Sequence, residues 1–432
     1  MIRSLSAAPP FDEIRALMRA SSTGDPALPG QVAAIIDRVV RGGDRGLLEC
    51  VREFDGAAAE GVASLRIDAD ELASAAEALA PELRSSLERA AANIRRFHER
   101  QMERGFLDLF PDGSVLGQRV LPLRRVGVYV PGGRAAYPSS VLMNVIPAQV
   151  AGVDEIVMVT PAPGGVIEPA VLAAAHLAGV REAYRMGGAH AVAALAHGTE
   201  SIPAVDKIVG PGSRWVAEAK RQVFGRVDID MVAGPSEILV IADDGADPWH
   251  VAADLIGQAE HDPDSIAWLV TDSERVASAV PAALEELLAR NPRRDIARAA
   301  LEANGLILRV PSLEAAAIAA DLRAPEHLEL LVRDPMALAG RIRNAGAIFL
   351  GSSSPEPVGD YFAGPNHVLP TGGTARWASP LGVYDFLKRT SLIGYSDARL
   401  RADAEDVIRL AEAEGLYGHA EAVRVRIGGR PL

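Results

Sequence analysis

Arg125-Val126-Gly127-Val128-Tyr129-Val130-Pro131-Gly132-Gly133-Arg134 is the stretch that decides the fold class. A five-residue apolar run breaks on a proline and two glycines, and residues 141–151, of helical composition, come next. Runs of that length bounded by turn residues read as buried strands. The same pattern recurs at 156–160, 183–186 and 208–209, with helical composition at 169–178. This βαβα rhythm predicts a parallel sheet with helices on both faces. A second series follows at 238–241, 267–271, 306–310 and 347–350. The reading is α/β with two open parallel sheets, whose ligands are expected at the strands' carboxyl ends.

Working outward, residues 10–120 read as mostly helical. Phe11, Ile14, Leu17 and Met18 recur at helical spacing, as do Val32, Ile35, Ile36 and Val39. Pro81 should divide the long Ala-, Glu- and Arg-rich segment 71–104. From about Asp385 the chain reads as a polar loop, a helix over 404–414 and a short tail.

With 432 residues, 49% hydrophobic and 23% charged, the chain has the composition of a globular protein of more than one packed unit. Its net charge of −13 argues against a nucleic-acid partner. Cys50 is the sole cysteine, so neither an internal disulfide nor a cysteine metal cluster can form; a buried apolar role is expected for it. With no signal-peptide pattern and no apolar run of about 20 residues, no membrane partner and a cytoplasmic location are expected.

Glycine loops end several predicted strands: Pro131-Gly132-Gly133, Met186-Gly187-Gly188 and Gly210-Pro211-Gly212-Ser213, while Ala233-Gly234-Pro235-Ser236 opens the second series. Glycines there let backbone approach a ligand closely, as phosphate or dinucleotide binding requires. None is a GxGxxG motif, since Trp215 stands where the third glycine would fall.

The polar candidates are scattered. Gln258 and His261 close a helix-compatible run that Pro263 ends, which sets them one turn apart on one face, able to hold a metal or polar ligand together. Pro325 suits a helix's first turn, which would place Glu326 and His327 at its N-terminus as a pair of proton acceptors. Glu356, Asp360 and His367 lie in a Gly/Pro-rich stretch after the last predicted strand. Glu414 and His419 sit in the tail, of use only if the tail docks on another surface, such as a second subunit. His98, His176, His197 and His250 read as structural or surface residues.

Taken together these stretches resemble the histidinol dehydrogenase family over nearly the whole chain. The resemblance is carried by VGVYVPGGRAAYPSSVLMNVIPA (126–148), residues 205–223, MVAGPSEILVI (231–241), QAEHDPDS (258–265), and residues 324–328, 364–371, 386–390 and 412–419. It implies a homodimer that oxidises L-histidinol to L-histidine with two NAD+. It also implies two incomplete Rossmann-like domains. They would be an NAD-binding domain over 106–236 and a discontinuous one, 24–105 with 237–381, holding most zinc and catalytic residues. An arm (1–23) and a dimerisation tail (382–432) docking on the partner complete the division. Gln258, His261, Asp360 and His419 would hold one Zn2+ per subunit, the last offered to a neighbouring subunit. Glu326 and His327 would be the bases, and Ser236, Glu414 and His419 would contact substrate, with Glu356 and His367 lining the pocket. Tyr129, His190 and Ser213 would lie in the NAD site. The last two depart from the family's usual glutamine and asparagine, so a weaker KM for NAD+ is expected. The rival readings are a paralogue acting on another amino alcohol, a zinc hydrolase with Glu326 as base, and a catalytically silent binding protein.

Overall fold

The computed structural model describes residues 2–12, 25–132 and 137–428, so the expected helical spacing over 14–18, most of the 1–23 arm and Gly133-Arg134 lie outside the described residues. The chain forms two compact units, one of residues 1–101 and 123–386, the other of 102–122 and 387–432.

In chain order, β1 (Arg3–Ser6) belongs to the first unit, while β2 (Phe106–Leu109) and β3 (Val115–Pro122) belong to the second. β4 (Arg125–Tyr129), β5 (Glu155–Thr160), β6 (Glu182–Arg185), β7 (Lys207–Val209) and β8 (Asp228–Ile229) form a five-stranded parallel sheet in the order β6-β5-β4-β7-β8. β9 (Glu237–Ala242), β10 (Ile266–Thr271), β11 (Leu306–Arg309), β12 (His327–Leu331) and β13 (Ala347–Leu350) join β1 in a six-stranded parallel sheet, β1-β11-β10-β9-β12-β13. The two-sheet α/β reading of the sequence is what the structure contains.

β9 shows why these runs are unbroken apolar. Ile238, Val240 and Ala242 pack one way, with Val276, Val280 and Leu284. Leu239 and Ile241 pack the other way, with Ala316, Ala320 and Leu330. A parallel strand covered on both faces must be apolar at every position, since alternate side chains point to opposite faces. The break at Pro81 is also as expected: one helix ends at Ala78 and the next begins at Pro81. Cys50 is buried.

Two expectations are corrected in the second unit. The helical reading of 10–120 fails at β2 and β3, and the polar loop expected from Asp385 gives way at Leu387 to β14 (Leu387–Gly394). β14 pairs antiparallel with β3 from Leu387↔Pro122 to Gly394↔Val115, and β2 lies on the far side of β3. β2 and β3 form a hairpin across residues 110–114, while β14 is made by a partner distant in sequence. The final helices, Asp397–Ala413 and Tyr417–Arg424, complete this unit.

Candidate active site

Polar residues gather along the edge of the six-stranded sheet where its strands begin. The helix Pro248–Ala259 is started by Pro248 and by the Asp247 side chain, which accepts the Trp249 N–H. Its apolar face, with Val251, Ala252, Leu255 and Ile256 buried, seats it so that Gln258 in the last turn is fully enclosed. His261 follows just beyond the helix. The turn is pinned where Arg293 donates to the Glu260 carbonyl (3.0 Å) and Asn291 to its carboxylate (2.7 Å).

Glu326 and His327 do not begin a helix, contrary to the expectation from Pro325. The helix Leu313–Arg323 ends at Ala324, which is left-handed (φ 49°), and His327 is the first residue of β12. The short run His327–Leu331 becomes a strand because β9 and β13 pair with it on either side. The cluster therefore lies at the amino edge of these strands, whereas the sequence reading looked to their carboxyl ends.

Within the cluster Glu326 Oε2 accepts the Glu237 N–H at 2.8 Å. His327 Nδ1 lies 3.1 Å from the Glu237 carbonyl oxygen, to which it donates, 3.6 Å from Glu326 Oε2 and 3.8 Å from Glu356 Oε1. That bond directs the other ring nitrogen into the site. Nε2 is buried without a hydrogen-bond partner, 3.5 Å from Asp360 Oδ1. The Gln258 amide, in the orientation that satisfies its neighbours, donates to Glu356 Oε1 at 3.2 Å and lies 3.3 Å from the Glu237 carbonyl. Glu356 is anchored by its own N–H, given to Glu329 Oε1 at 2.6 Å. His367 Nδ1 donates to the Asp360 carbonyl (3.0 Å), and its Nε2 lies 3.4 Å from Ser140 Oγ.

Burial pushes Glu326 and Glu356 up to about 8. Burial would strip the proton from His327, but Glu356, Glu326 and Asp360 outweigh it and lift the ring to about 10. Burial also acts to raise Asp360, yet His327, His367 and His261 hold it below the usual carboxylate range. Desolvation lowers His261 and His367, which favours neutral imidazole, the form that binds a metal.

The residues fit a divalent cation. Ligand atoms of His261, Glu356 and Asp360 lie within 4.8 Å of one another, and Glu356 Oε2 is buried without a partner. Nitrogen and oxygen donors of this kind suit Zn2+. The structure thus brings together Gln258, His261, Glu326, His327, Glu356, Asp360 and His367, with Glu356 closer to the heart of the group than its sequence context indicated. Ser236 lies at the entry to β9, its carbonyl accepting the Ile266 N–H (3.0 Å). Glu414 and His419 belong to the second unit, where both are exposed.

The five-stranded sheet presents backbone where its strands end. Tyr129 closes β4 and its phenol oxygen accepts the Gly188 N–H at 3.0 Å. Gly210, after β7, has φ +109°, and a Cβ there would collide with the Tyr129 carbonyl, so only glycine fits. Buried Lys220 and Asp230 pair with each other and clamp this glycine: Lys220 Nζ donates to its carbonyl (2.9 Å), Asp230 accepts its N–H (2.7 Å). His190 is buried with Nε2 2.9 Å from Asp55 Oδ2, and Ser213 is exposed at the N-cap of the helix Arg214–Val223. Sequence reading missed Asp55, Lys220, Asp230, Glu237 and Glu329; Lys220 and Glu237 had a signal, their places in the matching stretches 205–223 and 231–241, whereas Asp55 meets His190 only across 135 residues.

A short segment, 230–236, leads from the end of β8 to the start of β9, so the carboxyl edge of one sheet passes directly to the amino edge of the other. The Asn366 amide donates to the Met143 carbonyl (2.6 Å), which ties the His367 loop to the helix Pro138–Ala151 that follows β4. The sequence profile described as Histidinol dehydrogenase matches residues 18–427. Histidinol dehydrogenase of Heliobacterium mobile is 53% identical over 399 residues, 92% of this chain and 93% of that protein. That of Chromobacterium violaceum is 50% identical over 428 residues, 99% of each. The crystal structure of histidinol dehydrogenase from Elizabethkingia anophelis superposes with a TM-score of 0.92 at 36% identity, covering 99% of this chain and 98% of that one. With likeness of sequence and structure running over almost its entire length, the chain belongs to the histidinol dehydrogenase family.

Proposed function

We propose that this NAD-dependent oxidoreductase converts L-histidinol to L-histidine through the aldehyde, in two oxidations that each pass one hydride to an NAD+, as the last steps of histidine biosynthesis in the cytoplasm. The observation that carries the reading is the convergence, on one buried edge, of an unpartnered imidazole nitrogen, a carboxylate and a compact metal-binding group.

His327 Nε2 is the atom placed to take the alcohol proton in the first oxidation. Glu326, steadied by the Glu237 N–H, takes a proton from the water that adds to the aldehyde. As the water adds, His327 returns its proton to the aldehyde oxygen, and it then takes one back from the gem-diol as the second hydride leaves. No thiol route to the acid is open, because Cys50 is buried and stands alone. Gln258, His261, Asp360 and His419 are the ligands proposed for one Zn2+ per subunit, with Glu356 beside them. When bound, zinc supplies positive charge that orients the substrate's imidazole and amine and offsets the carboxylates that hold a proton on His327. Tyr129, His190 and Ser213 are assigned to NAD, and Ser236, Glu414, His367 and His419 to the substrate pocket.

A homodimer is part of the proposal. In the second unit Leu107, Leu109, Ile393, Leu410 and Tyr417 are exposed, Leu109 and Ile393 at 76% each. An apolar surface of that kind suits a partner chain, and this is the unit that bears Glu414 and His419.

The test is histidinol oxidation followed at the absorbance of reduced cofactor, with histidine counted in parallel. Two reduced cofactors per histidine are expected, with loss of turnover on chelation and its return with zinc. Histidinol turnover without cofactor reduction would sink the reading and favour a hydrolase.

A further inference from the structure

We propose that Glu237 is the positioning residue for both proton-handling groups, and that its buried ion pair with Arg323 holds it in place. The inference rests on the roles proposed above for Glu326 and His327. One peptide unit serves both: its N–H goes to Glu326 Oε2 (2.8 Å) and its carbonyl takes the His327 Nδ1–H (3.1 Å). Its side chain is 1% exposed and tied twice, to the Arg323 guanidinium and to the Gly372 N–H (2.9 Å).

Arg323 is not an arbitrary partner. It ends the helix Leu313–Arg323 immediately before the left-handed Ala324 that turns the chain into Pro325-Glu326-His327. The segment 323–327 is therefore fastened to Glu237 at both ends, through a guanidinium at its start and through Glu326 and His327 at its finish. Arg323 is held in turn over the Trp268 ring on β10, at 5.3 Å. Burying two charges costs several kcal/mol that an apolar pair would avoid, so such a pair is weak evidence for stability. What this one supplies is register, because a closed ring of contacts sets where Nε2 and the Glu326 carboxylate stand.

The experiment compares Glu237→Gln and Arg323→Lys with the unsubstituted zinc-loaded protein, by steady-state kinetics and by 15N-histidine NMR. The His327 signal is identified by its absence in His327→Gln. Misplacement by about 1 Å can cost on the order of a hundredfold in rate. The expected result is a fall in kcat of about ten- to a hundredfold, with both KM values within about twofold. The His327 Nδ1 resonance should move in both variants. Should Glu237→Gln not fold, Arg323→Lys, which keeps the charge and alters its reach, carries the test. An unmoved His327 resonance overturns the proposal whatever happens to the rate. If the unsubstituted protein does not oxidise histidinol, the functional reading fails, while the resonance still decides whether Glu237 positions the ring.

Discussion

The two parallel sheets of the first unit are wound alike and furnished in opposite ways. Numbered from its own first strand, each runs 3-2-1-4-5, β4 to β8 in one and β9 to β13 in the other, with β1 added to the edge of the second. The five-stranded sheet offers its carboxyl edge, built of glycines, backbone N–H groups and a clamped turn. The six-stranded sheet offers its amino edge, lined with carboxylates and imidazoles. Open α/β sheets usually bind at their carboxyl ends. Here the connection 230–236 joins one edge to the other, so a single site can draw on both. Winding alone therefore does not locate chemistry. Backbone dipoles suit an anionic dinucleotide, and titratable side chains suit proton transfer.

If the labour is divided in this way, substitutions on the two edges should have different kinetic signatures. The largest effect belongs to the amino edge: Glu326→Gln and His327→Gln should each lower kcat by about 10²–10⁴-fold and leave the KM for NAD+ almost unchanged. An equal effect on cofactor binding would erase the distinction.

On the carboxyl edge, Lys220→Met strips the buried clamp of its cation. It should destabilise the protein by roughly 3–5 kcal/mol, because Asp230 is left as an unpaired buried charge. In the folded fraction the KM for NAD+ should rise more than kcat falls. Chemical denaturation and initial rates check the two parts, and an unshifted KM would show that the Gly210 loop does not serve the cofactor.

A third prediction concerns stability on the amino edge. Burial, with Asp254 nearby, pushes Glu329 up to about 10 from an ordinary 4.5. Between those values the folded chain keeps a proton that the unfolded chain has released, so this carboxyl's contribution to stability falls as pH rises. Glu329→Gln keeps the acceptor for the Glu356 N–H and removes that titration. Its stability should decline less steeply between pH 6 and pH 9, by at most about 1.4 kcal/mol per pH unit. Parallel slopes in denaturant titrations would show that Glu329 is ionised in the fold.

The smallest effect is expected from His190→Gln combined with Ser213→Asn, which should lower the KM for NAD+ a few-fold while the chelation response stays as it was. An unchanged KM would remove both positions from the cofactor site.

Much of this was legible before any tertiary contact was known. β4 to β7, β9 to β11 and β13 were readable because a strand buried on both faces must be apolar throughout, a rule that β9 and β10 obey, whereas the two-residue β8 was not. The positions proposed as functional stood out as short motifs, Gln258 with His261 and Glu326 with His327, though neither is decisive without the rest of the chain. His327 was set on the wrong kind of element because Pro325 signals a helix start locally, while β9 and β13 compete for the same residues and win. β14 was hidden for the same reason, since it is made by its distant partner β3; β2 and β3 are a local hairpin whose Pro111-Asp112-Gly113 turn was a signal passed over.

The order of residues alone determined which segments are apolar, where proline and glycine stop them, and which acids, amides and imidazoles are available. Those are local properties, fixed by side-chain chemistry and backbone freedom. Only the folded chain decided that these side chains gather at the edge of the second sheet where its strands begin. It also decided that Asp55 meets His190, and that Glu237 reaches Glu326, His327 and Arg323 at once. Such juxtapositions depend on strand register and crossover path, which arise when distant segments bury one another.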